Sequence, residues 1–285
     1  MEFKAFKMDG LGNDFVIIDQ RSKSINLSKE NIIKICRRDF IGCDQLIYIH
    51  KNKNNKDKLT FYNSDGSISG ACGNGTRCVA KLLSEEYGNQ EIDLETNAGV
   101  LHSSILNENL VETNIGVPSM KWEEIPLIKK MNTEDLQISI KDNDGNNFTG
   151  GIAISVGNPH IVFFVENNDK FKIEDIGPEI EQHEYFPEKC NVTIATVKSK
   201  NLIDVKVWER GAGLTKACGT AACATGYAGF VTKKTSNNVD IKFSTGILSI
   251  RIDENNSIFM KGPVDRKSTR LNSSHSQQSR MPSSA

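Results

Sequence analysis

Short segments in which apolar and polar residues alternate dominate the first hundred residues, and this period of two is typical of β-strands. Only a few residues separate most of these segments. The predicted strands are Phe3–Met8, Phe15–Asp19, Gln45–His50, Leu59–Tyr62, Glu91–Thr96 and Val100–Leu106. The segment Lys51–Lys58 is polar and charged, and we expect it to be an exposed hairpin loop.

Two longer segments of the same region are predicted to be helices. One is Ser28–Arg38, where Ser28 is a suitable N-cap, and the other is Asn74–Tyr87, which Gly88 can terminate. The second helix carries Cys78, Val79, Leu82 and Leu83 and is apolar over much of its surface. Such a helix is expected to be buried.

The rest of the chain repeats this scheme. Its predicted strands are Ile152–Val156, Ile161–Val165, Asn191–Val197, Ile203–Val207, Val239–Phe243 and Ile247–Ile252. Its predicted helices lie near Asp175–His183 and at Gly219–Val231. The pattern by itself indicates an α+β protein of two similar halves, with a boundary near Pro118.

Two cysteines lie in matching settings within this repeat. Cys72 and Cys218 each follow an alanine, precede a glycine and stand directly before a predicted helix. A Gly-Asn pair lies upstream of each, so that 59 residues separate Asn13 from Cys72 and 60 separate Asn158 from Cys218. The repeat is therefore an internal duplication centred on a thiol, and its period is too long for a short solenoid or propeller repeat.

Both thiols are predicted to lie at a helix N-terminus, which carries unpaired N–H groups and about half a positive charge. Such a position lowers the pKa of a thiol and binds anions. If the halves face each other, a cleft between them holds two activated thiols and two helix N-termini aimed at a carboxylate. Inversion of a stereocentre needs a base on one face of a carbon and an acid on the other, which a thiolate and a thiol can supply.

The other five cysteines are predicted to be small buried side chains, the commonest state of a free cysteine. They are Cys36, Cys43, Cys78, Cys190 and Cys223. A zinc site would have to pair Cys72 with Cys78 and Cys218 with Cys223, but paired ligands of structural zinc are usually two to four residues apart. We therefore expect no metal.

Five motifs with these cysteines among them are long and specific. They are Lys7-Met8-Asp9-Gly10-Leu11-Gly12-Asn13-Asp14-Phe15, Asn63-Ser64-Asp65-Gly66-Ser67, Ala71-Cys72-Gly73-Asn74-Gly75-Thr76-Arg77-Cys78, Gly157-Asn158-Pro159-His160, and the segment from Trp208 to Thr220. With these motifs in this order, the chain resembles the diaminopimelate epimerases from Phe3 to about Val264. Members of that family invert one α-carbon of diaminopimelate without pyridoxal phosphate.

The resemblance implies that Cys72 and Cys218 are the acid and the base, exchanging roles with the direction of reaction. It implies substrate contacts at Asn13, Gln45, Asn63, Gly73, Asn74, Asn158, Asn191, Glu209, Arg210, Gly219 and Thr220. Amides, an arginine and helix N-termini suit a substrate with an amino acid group at each end. The family also implies that His160 and Glu209 tune the thiols, and that no cofactor is needed.

The same resemblance predicts the architecture. Each half is expected to form a curved, mainly antiparallel sheet or barrel around a central helix, so that both helix N-termini open onto the cleft between the halves. The predicted units are residues 1–117 with Cys72, residues 118–264 with Cys218, and a tail of residues 265–285.

Taken one at a time, several of these residues have simpler interpretations. Asparagines beside glycine are favoured in turns, Arg210 and Glu209 could be a solvated surface pair, and a lone His160 is more often a hydrogen-bonded core residue. Three other functions are also compatible with parts of the pattern. They are a proline or hydroxyproline racemase-like isomerase, a thiol-based redox or metal-binding protein, and a cysteine hydrolase.

Each alternative leaves something unexplained. A small racemase substrate has no distal group to occupy Asn63, Asn191 and Arg210. The chain has no Cys-x-x-Cys, which weakens the redox interpretation. A hydrolase could use His160 to activate one cysteine but leaves the second cysteine loop without a role. The sequence therefore favours conversion of LL- to meso-diaminopimelate, in lysine and peptidoglycan precursor synthesis.

Composition changes this picture little. The chain has 285 residues, 38% of them hydrophobic, which is enough for two ordinary domains. No apolar leader or membrane span is expected, and seven cysteines, an odd number, fit a reducing compartment, so we expect a cytoplasmic enzyme. The formal net charge of −1 gives no case for nucleic-acid binding.

The last residues depart from the pattern. The serine-rich stretch 265–285 has no apolar period and resembles a translated sequencing adapter, so we expect it to be disordered and foreign to the fold. Members of the family continue past Gly262-Pro263 into a last strand with an aromatic residue implicated in dimer contact. The resemblance therefore implies a homodimer, while this segment puts the dimer in question.

Overall fold

The computed structural model describes residues 5–268. The first half contains the strands β1 (Ala5–Asp9), β2 (Asp14–Asp19), β3 (Gln45–Lys51), β4 (Asp57–Asn63), β5 (Ile68–Ser69), β6 (Glu91–Thr96), β7 (Gly99–Asn107) and β8 (Leu110–Gly116). Its helices are α1 (Lys29–Cys36) and α2 (Gly73–Tyr87). Ser28 caps α1 by accepting a hydrogen bond from the Asn31 N–H, and Gly88 ends α2 in the left-handed conformation, as predicted.

The second half begins with a small hairpin and then repeats the elements of the first. Its strands are β9 (Ile138–Lys141), β10 (Asn147–Gly150), β11 (Ile152–Ser155), β12 (Pro159–Phe164), β13 (Asn191–Ser199), β14 (Leu202–Glu209), β15 (Gly213–Leu214), β16 (Asn238–Phe243), β17 (Gly246–Ile252), β18 (Ile258–Pro263) and β19 (Asp265–Ser268). Its helices are α3 (Ile173–Glu181), α4 (Gly219–Val231) and a 3-10 turn at Asn168–Lys170.

The two halves share one order of strand pairing. In the first half β1 pairs antiparallel with β2, β2 parallel with β3, β3 antiparallel with β4, β4 parallel with β6, and β6, β7 and β8 follow antiparallel. In the second half β11, β12, β13, β14, β16, β17 and β18 repeat these relations in the same order. The duplication predicted from the cysteine motifs is therefore a duplication of topology, and the α+β class is confirmed.

Each half is closed by the last strand of the other. Strand β8 leaves the first half to pair with β18, and the chain just beyond it forms a bridge from Ser119 to Ser155 at the end of β11. In the same way β18 continues into β19, which pairs antiparallel with β1. The two sheets are thus joined into one, and neither half closes without residues from its partner.

This exchange corrects the predicted boundary of the tail at residue 264. Asp265 and Arg266 pair with Asp9 and Met8 of β1, so the first four residues assigned to the tail are part of the sheet. The sequence gives little indication of β19, because its residues are charged or polar and show no apolar alternation. Pairing with β1 holds this strand in the sheet instead. The remaining part of the predicted tail, 269–285, lies outside the described residues.

The helices α2 and α4 each lie inside the sheet of their own half. Thr76, Arg77, Cys78, Val79 and Ala80 of α2 are shielded from solvent, and most of α2's apolar side chains pack against β1, β2, β3, β4, β6 and β8. The small residues of α4, from Ala221 to Ala228, fill the corresponding place in the second half. Both helices are buried as the sequence predicted, and between residues 5 and 268 no helix is long and apolar enough to cross a membrane.

The exchanged strand gives a test of the fold. Of two shortened chains, we expect the one ending at Val264 to be less stable to unfolding than the one ending at Ser268, by on the order of 2 kcal/mol, because each ladder hydrogen bond contributes about 1 kcal/mol net. Thermal denaturation of both chains measures this difference. Equal melting temperatures would show that β19 does not close the first half.

Candidate active site

Cys72 and Cys218 are the N-caps of the two central helices. Cys72 has extended backbone angles, and its Sγ accepts a hydrogen bond from the N–H of Gly75 at 3.4 Å. Cys218 has the same extended conformation ahead of α4, and its Sγ lies 3.4 Å from Thr220 Oγ1. The predicted placement of both thiols at helix N-termini is confirmed.

The first turns of α2 and α4 meet across the two halves. A Cβ atom added at Gly219 would lie 3.1 Å from Asn74 Oδ1 and 3.1 Å from Met260 Sδ. A Cβ atom added at Gly73 would lie 2.5 Å from Met260 Cε, closer than real Cβ contacts. The glycine after each cysteine therefore leaves room for the close approach of the two helix ends around Met260, and a side chain at Gly73 would displace the end of Met260.

Amide side chains of the first half surround Cys72. Asn13 Oδ1 lies 3.9 Å from Cys72 Sγ and accepts a long hydrogen bond from Asn74 Nδ2 at 3.5 Å. Asn13 Nδ2 in turn donates to Asp44 Oδ2 at 2.9 Å. The β1–β2 turn and the chain before β3 thus hold Asn13 beside the thiol.

The other two amides predicted in this half form a pair of their own. Gln45 Nε2 donates to Asn63 Oδ1 at 2.9 Å, because the two residues face each other at the ends of β3 and β4. Gln45 Oε1 is buried and has no hydrogen-bond partner among the described residues. This oxygen remains able to accept a hydrogen bond from a substrate ammonium group.

In the second half, Glu209 at the end of β14 interacts with the thiol of Cys218. Asn191 is buried, and its Oδ1 accepts a hydrogen bond from the Arg210 N–H at 3.0 Å. The Arg210 side chain is exposed and donates to the Glu188 carbonyl at 2.9 Å. The backbone N–H of Arg210 is therefore bound to Asn191, while the guanidinium of Arg210 lies at the surface.

His160 contacts another predicted site residue rather than a cysteine. Its Nε2 lies 3.0 Å from Asn158 Oδ1, and its Nδ1 is buried without a hydrogen-bond partner among residues 5–268. Burial, together with the charge of Arg210, lowers the pKa of His160 to about 3. The imidazole is thus neutral at ordinary pH and fixes the orientation of Asn158.

The expected lowering of both thiol pKa values is wrong for this structure. Burial raises the pKa of Cys72 to about 11 and that of Cys218 well above its ordinary value, and the carboxylate of Glu209 raises both further. The N–H groups of Gly75 and Ala221 act in the predicted direction, but they are weaker than burial. The sequence could show the helix N-termini but not the loss of water around them.

Glu209 links the two cysteines. Burial is the main cause that raises the pKa of its carboxyl, the Cys218 thiol opposes this, and Asp44 of the first half adds to it. Because Glu209 also acts on both thiols, it lies within electrostatic range of each of them. Glu209 therefore lies where its charge reaches the cysteines of both halves.

Two residues of this region carried no signal in the sequence. Asp44 holds Asn13 and also accepts a hydrogen bond from the N–H of Asp14, but it stands outside the motifs. In the sequence, Met260 is an ordinary apolar residue of a strand. In the structure, its side chain lies against both Gly73 and Gly219, because β18 passes between these two glycines. Neither could be recognised without the tertiary structure.

The remaining five cysteines are free and buried, as predicted. Within the part of the chain that the structure describes, no group of three or more His, Cys, Asp or Glu side chains is arranged to hold a metal ion.

Comparison with known proteins places this arrangement in a family. The family model for diaminopimelate epimerase matches residues 5–121 and 152–267. The diaminopimelate epimerase of Pelagibacter ubique is 63% identical over 93% of this chain and 96% of its own length. That of Acidiphilium cryptum is 38% identical over 90% of this chain and 92% of its own length.

Solved structures with little sequence similarity share the fold. A predicted epimerase from Pseudomonas aeruginosa superposes with a TM-score of 0.68 at 12% identity, covering 94% of this chain and 99% of its own. A hydroxyproline epimerase from Agrobacterium vitis gives 0.64 at 11% identity, covering 94% and 91%. With its family model matched in both halves and a close relative along almost its whole length, the chain belongs to the diaminopimelate epimerase family.

Proposed function

We propose that Cys72 and Cys218 are the two acid–base groups with which this isomerase converts LL-2,6-diaminopimelate to the meso isomer. The observation that carries the proposal is the meeting of the two helix N-termini, each capped by one of these cysteines. The conversion belongs to lysine biosynthesis and needs no pyridoxal phosphate in this family. The product also serves as a peptidoglycan precursor.

The proposed reaction moves one proton off the α-carbon and another onto it. A thiolate on one face takes the proton of the α-carbon, and the electron pair stays on the carbon and its carboxylate. The thiol on the opposite face then gives its proton to the carbon, which inverts the configuration. The first cysteine ends as a thiol and the second as a thiolate, so the reverse reaction starts from the opposite cysteine.

We assign the reacting carboxylate to the two helix N-termini. The N–H groups of Gly73 and Asn74 in α2 and of Gly219 and Thr220 in α4 belong to the first turns of their helices, where backbone N–H groups have no acceptor in the helix itself. They stabilise the negative charge that develops on the carboxylate when the α-proton leaves. Because no water has to reorient around them, this stabilisation is available throughout the reaction.

The distal amino acid group is assigned to the remaining amides and Arg210. Asn63, Asn158 and Asn191 offer donors and acceptors, and Gln45 keeps a free carbonyl oxygen. Arg210 is exposed in this structure, so its guanidinium must turn inward from Glu188 to reach a carboxylate. Asn13, which lies beside Cys72, is the remaining amide of the first half that we assign to substrate binding.

The roles of Glu209 and His160 are different from each other. Glu209 lies within range of both thiols, so its negative charge disfavours having both cysteines ionised at once. His160 acts through Asn158, because its Nε2 contacts that amide. We propose that the enzyme is a homodimer and works in the cytoplasm, where free cysteines such as the seven in this chain remain reduced.

The two-thiol reaction predicts that Cys72→Ala and Cys218→Ala each lower epimerisation by at least about a hundredfold, since general acid or base catalysis commonly contributes that much. The assay is NMR of LL-diaminopimelate in deuterated water, which follows both deuterium uptake at the α-carbon and the meso product. Cys36→Ala, in a buried cysteine of α1, is the matched control and is expected to keep activity. Turnover in either site variant at the control's rate would contradict the proposal.

The burial of His160 predicts a pH dependence of stability. Its pKa is about 3 in the folded chain and near 6.5 when unfolded, so between these values the unfolded chain binds the additional proton. Stability is therefore lost as pH falls from 6.5 toward 3, by up to about 1.4 kcal/mol per pH unit. Denaturant unfolding of the wild type and of His160→Gln measures it. An equally steep loss in both would show that other groups cause it.

The proposed homodimer is tested by light scattering during size-exclusion chromatography. A mass of twice the 31.6 kDa chain is expected at micromolar concentration. A monomer of unchanged activity would show that one chain holds the complete site.

A further inference from the structure

Cys36 and Cys43 form a pair of thiols that the proposed reaction does not use. The thiol of Cys43 donates to Cys36 Sγ, and the two sulfur atoms are 3.4 Å apart. Both side chains are buried in an apolar cluster with Val16 of β2, whereas the next residue, Ile17, packs in the cluster that contains α2. Because neighbouring residues of a strand point to opposite faces, the pair lies on the face of the sheet away from α2.

The backbone holds these two thiols against each other. After α1 the chain turns back, and two successive hydrogen bonds join the ends of the turn. The Gly42 N–H donates to the Ile35 carbonyl at 3.0 Å, and the Cys43 N–H donates to the Cys36 carbonyl at 3.1 Å. Gly42 has a φ of +75°, the left-handed conformation that glycine adopts readily. A disulfide bond requires neighbouring backbones and side chains directed at each other, and this turn provides both.

The surroundings of the pair favour ionisation of one thiol. Lys7 Nζ donates to the carbonyl of Gly42, the residue before Cys43. The hydrogen bond from Cys43 lowers the pKa of Cys36, and burial opposes this effect. The charges of Lys7 and Arg38 lower the pKa of Cys36 further, whereas the shared hydrogen bond raises the pKa of Cys43. Cys36 is therefore the nucleophile of the pair, since the thiolate is the reactive form of cysteine.

Cys43 also lies directly before a residue that positions the candidate active site. Asp44 follows it, and Asp44 Oδ2 accepts hydrogen bonds from Asn13 Nδ2 at 2.9 Å and from the Asp14 N–H at 3.0 Å. Because the amide nitrogen of Asn13 is bound there, its Oδ1 faces Cys72 and lies 3.9 Å from that Sγ. One peptide unit and one side-chain hydrogen bond thus connect Cys43 to the amide beside Cys72.

We propose that Cys36 and Cys43 are a redox modification site, at which hydrogen peroxide converts the two thiols to a disulfide and thereby displaces Asn13 from Cys72. An S–S bond is about 2.0 Å long, so the sulfur atoms have to approach each other by roughly 1.4 Å. This approach shifts the backbone of Cys43 and, with it, the adjoining Asp44. The formation of the disulfide is independent of the proposed reaction, whereas its effect on activity rests on that reaction.

The oxidation takes place in two steps. The Cys36 thiolate attacks one oxygen of the peroxide, which forms an S–O bond and breaks the O–O bond, and the other oxygen takes up a proton and leaves as water. The Cys43 thiol then attacks the sulfenic sulfur of Cys36, which forms the S–S bond and breaks the S–O bond, and its proton leaves with that oxygen as a second water. Two thiols are oxidised and one peroxide is reduced. A small thiol reverses the modification by disulfide exchange.

Mass spectrometry of the peroxide-treated full chain tests the disulfide. Arg37 and Arg38 lie between the two cysteines, so trypsin places Cys36 and Cys43 on separate peptides, 35–37 and 39–51. After the remaining thiols are blocked with iodoacetamide in denaturant, we expect these two peptides to be linked, and dithiothreitol to separate them. Recovery of both cysteines as free thiols, or of Cys36 as a sulfinic acid, would overturn the proposal.

Cys190 is the internal control for this measurement. It is as fully buried as Cys43, but its thiol donates to the Ile180 carbonyl at 3.4 Å instead of facing a second thiol. We therefore expect Cys190 to be recovered free at a peroxide concentration that links Cys36 to Cys43. Oxidation of Cys190 ahead of the pair would show that the paired thiols have no special reactivity.

The effect on activity is measured in the wild type and in Cys36→Ala, which cannot form this disulfide. After the same peroxide treatment, each epimerisation rate is divided by the fraction of chains in which Cys72 and Cys218 are still free, taken from the same digest. We expect the corrected rate of the wild type to fall by up to about a hundredfold, because misplacement by about 1 Å can cost that much. Cys36→Ala is expected to keep its corrected rate, and dithiothreitol to restore that of the wild type.

The two readouts separate failure of this inference from failure of the proposed function. Equal corrected rates in the wild type and in Cys36→Ala, with the linked peptides present in the wild type, would overturn the effect on Asn13. A chain that forms the linked peptides but does not epimerise diaminopimelate would contradict the proposed function and support the redox site.

Discussion

The contact between the first turns of α2 and α4 is the constraint on which the rest of the structure depends. Gly73 and Gly219 allow the two helix ends to approach Met260 so closely that no side chain fits at Gly73 without displacement. Each helix can reach this point only because it lies inside its own sheet with its N-terminus directed at the other half. The internal duplication of the chain thus places two equivalent helix N-termini in contact with each other.

The exchange of closing strands holds that contact in place. Because β8 closes the second half and β19 closes the first, the halves cannot separate without breaking strand pairs of both. A site built on buried helices and paired strands keeps its dipoles fixed, which is what stabilises developing charge.

The pKa values of the two thiols at this junction result from opposing effects. Removal from water raises the pKa of both thiols, and Glu209 does so as well, while helix N–H groups oppose them. Burial dominates in the free chain. Burial and Glu209 act in the same direction on both cysteines, so the two matching motifs also share the main causes of their raised pKa values.

The sequence by itself determined the duplication, most of the strands and helices and the two N-capping cysteines, because these depend on local periodicity, capping residues and motif spacing. It missed β8 and β19, whose polar or charged residues are held by pairing with distant strands, and it also missed β18, although Ile258 and Met260 of that strand are apolar and buried. It also could not show that burial reverses the expected pKa shift at Cys72 and Cys218, nor that Asp44 and Met260 lie at the junction. Those facts depend on which groups lose water and which distant segments touch, and only the tertiary structure decides that.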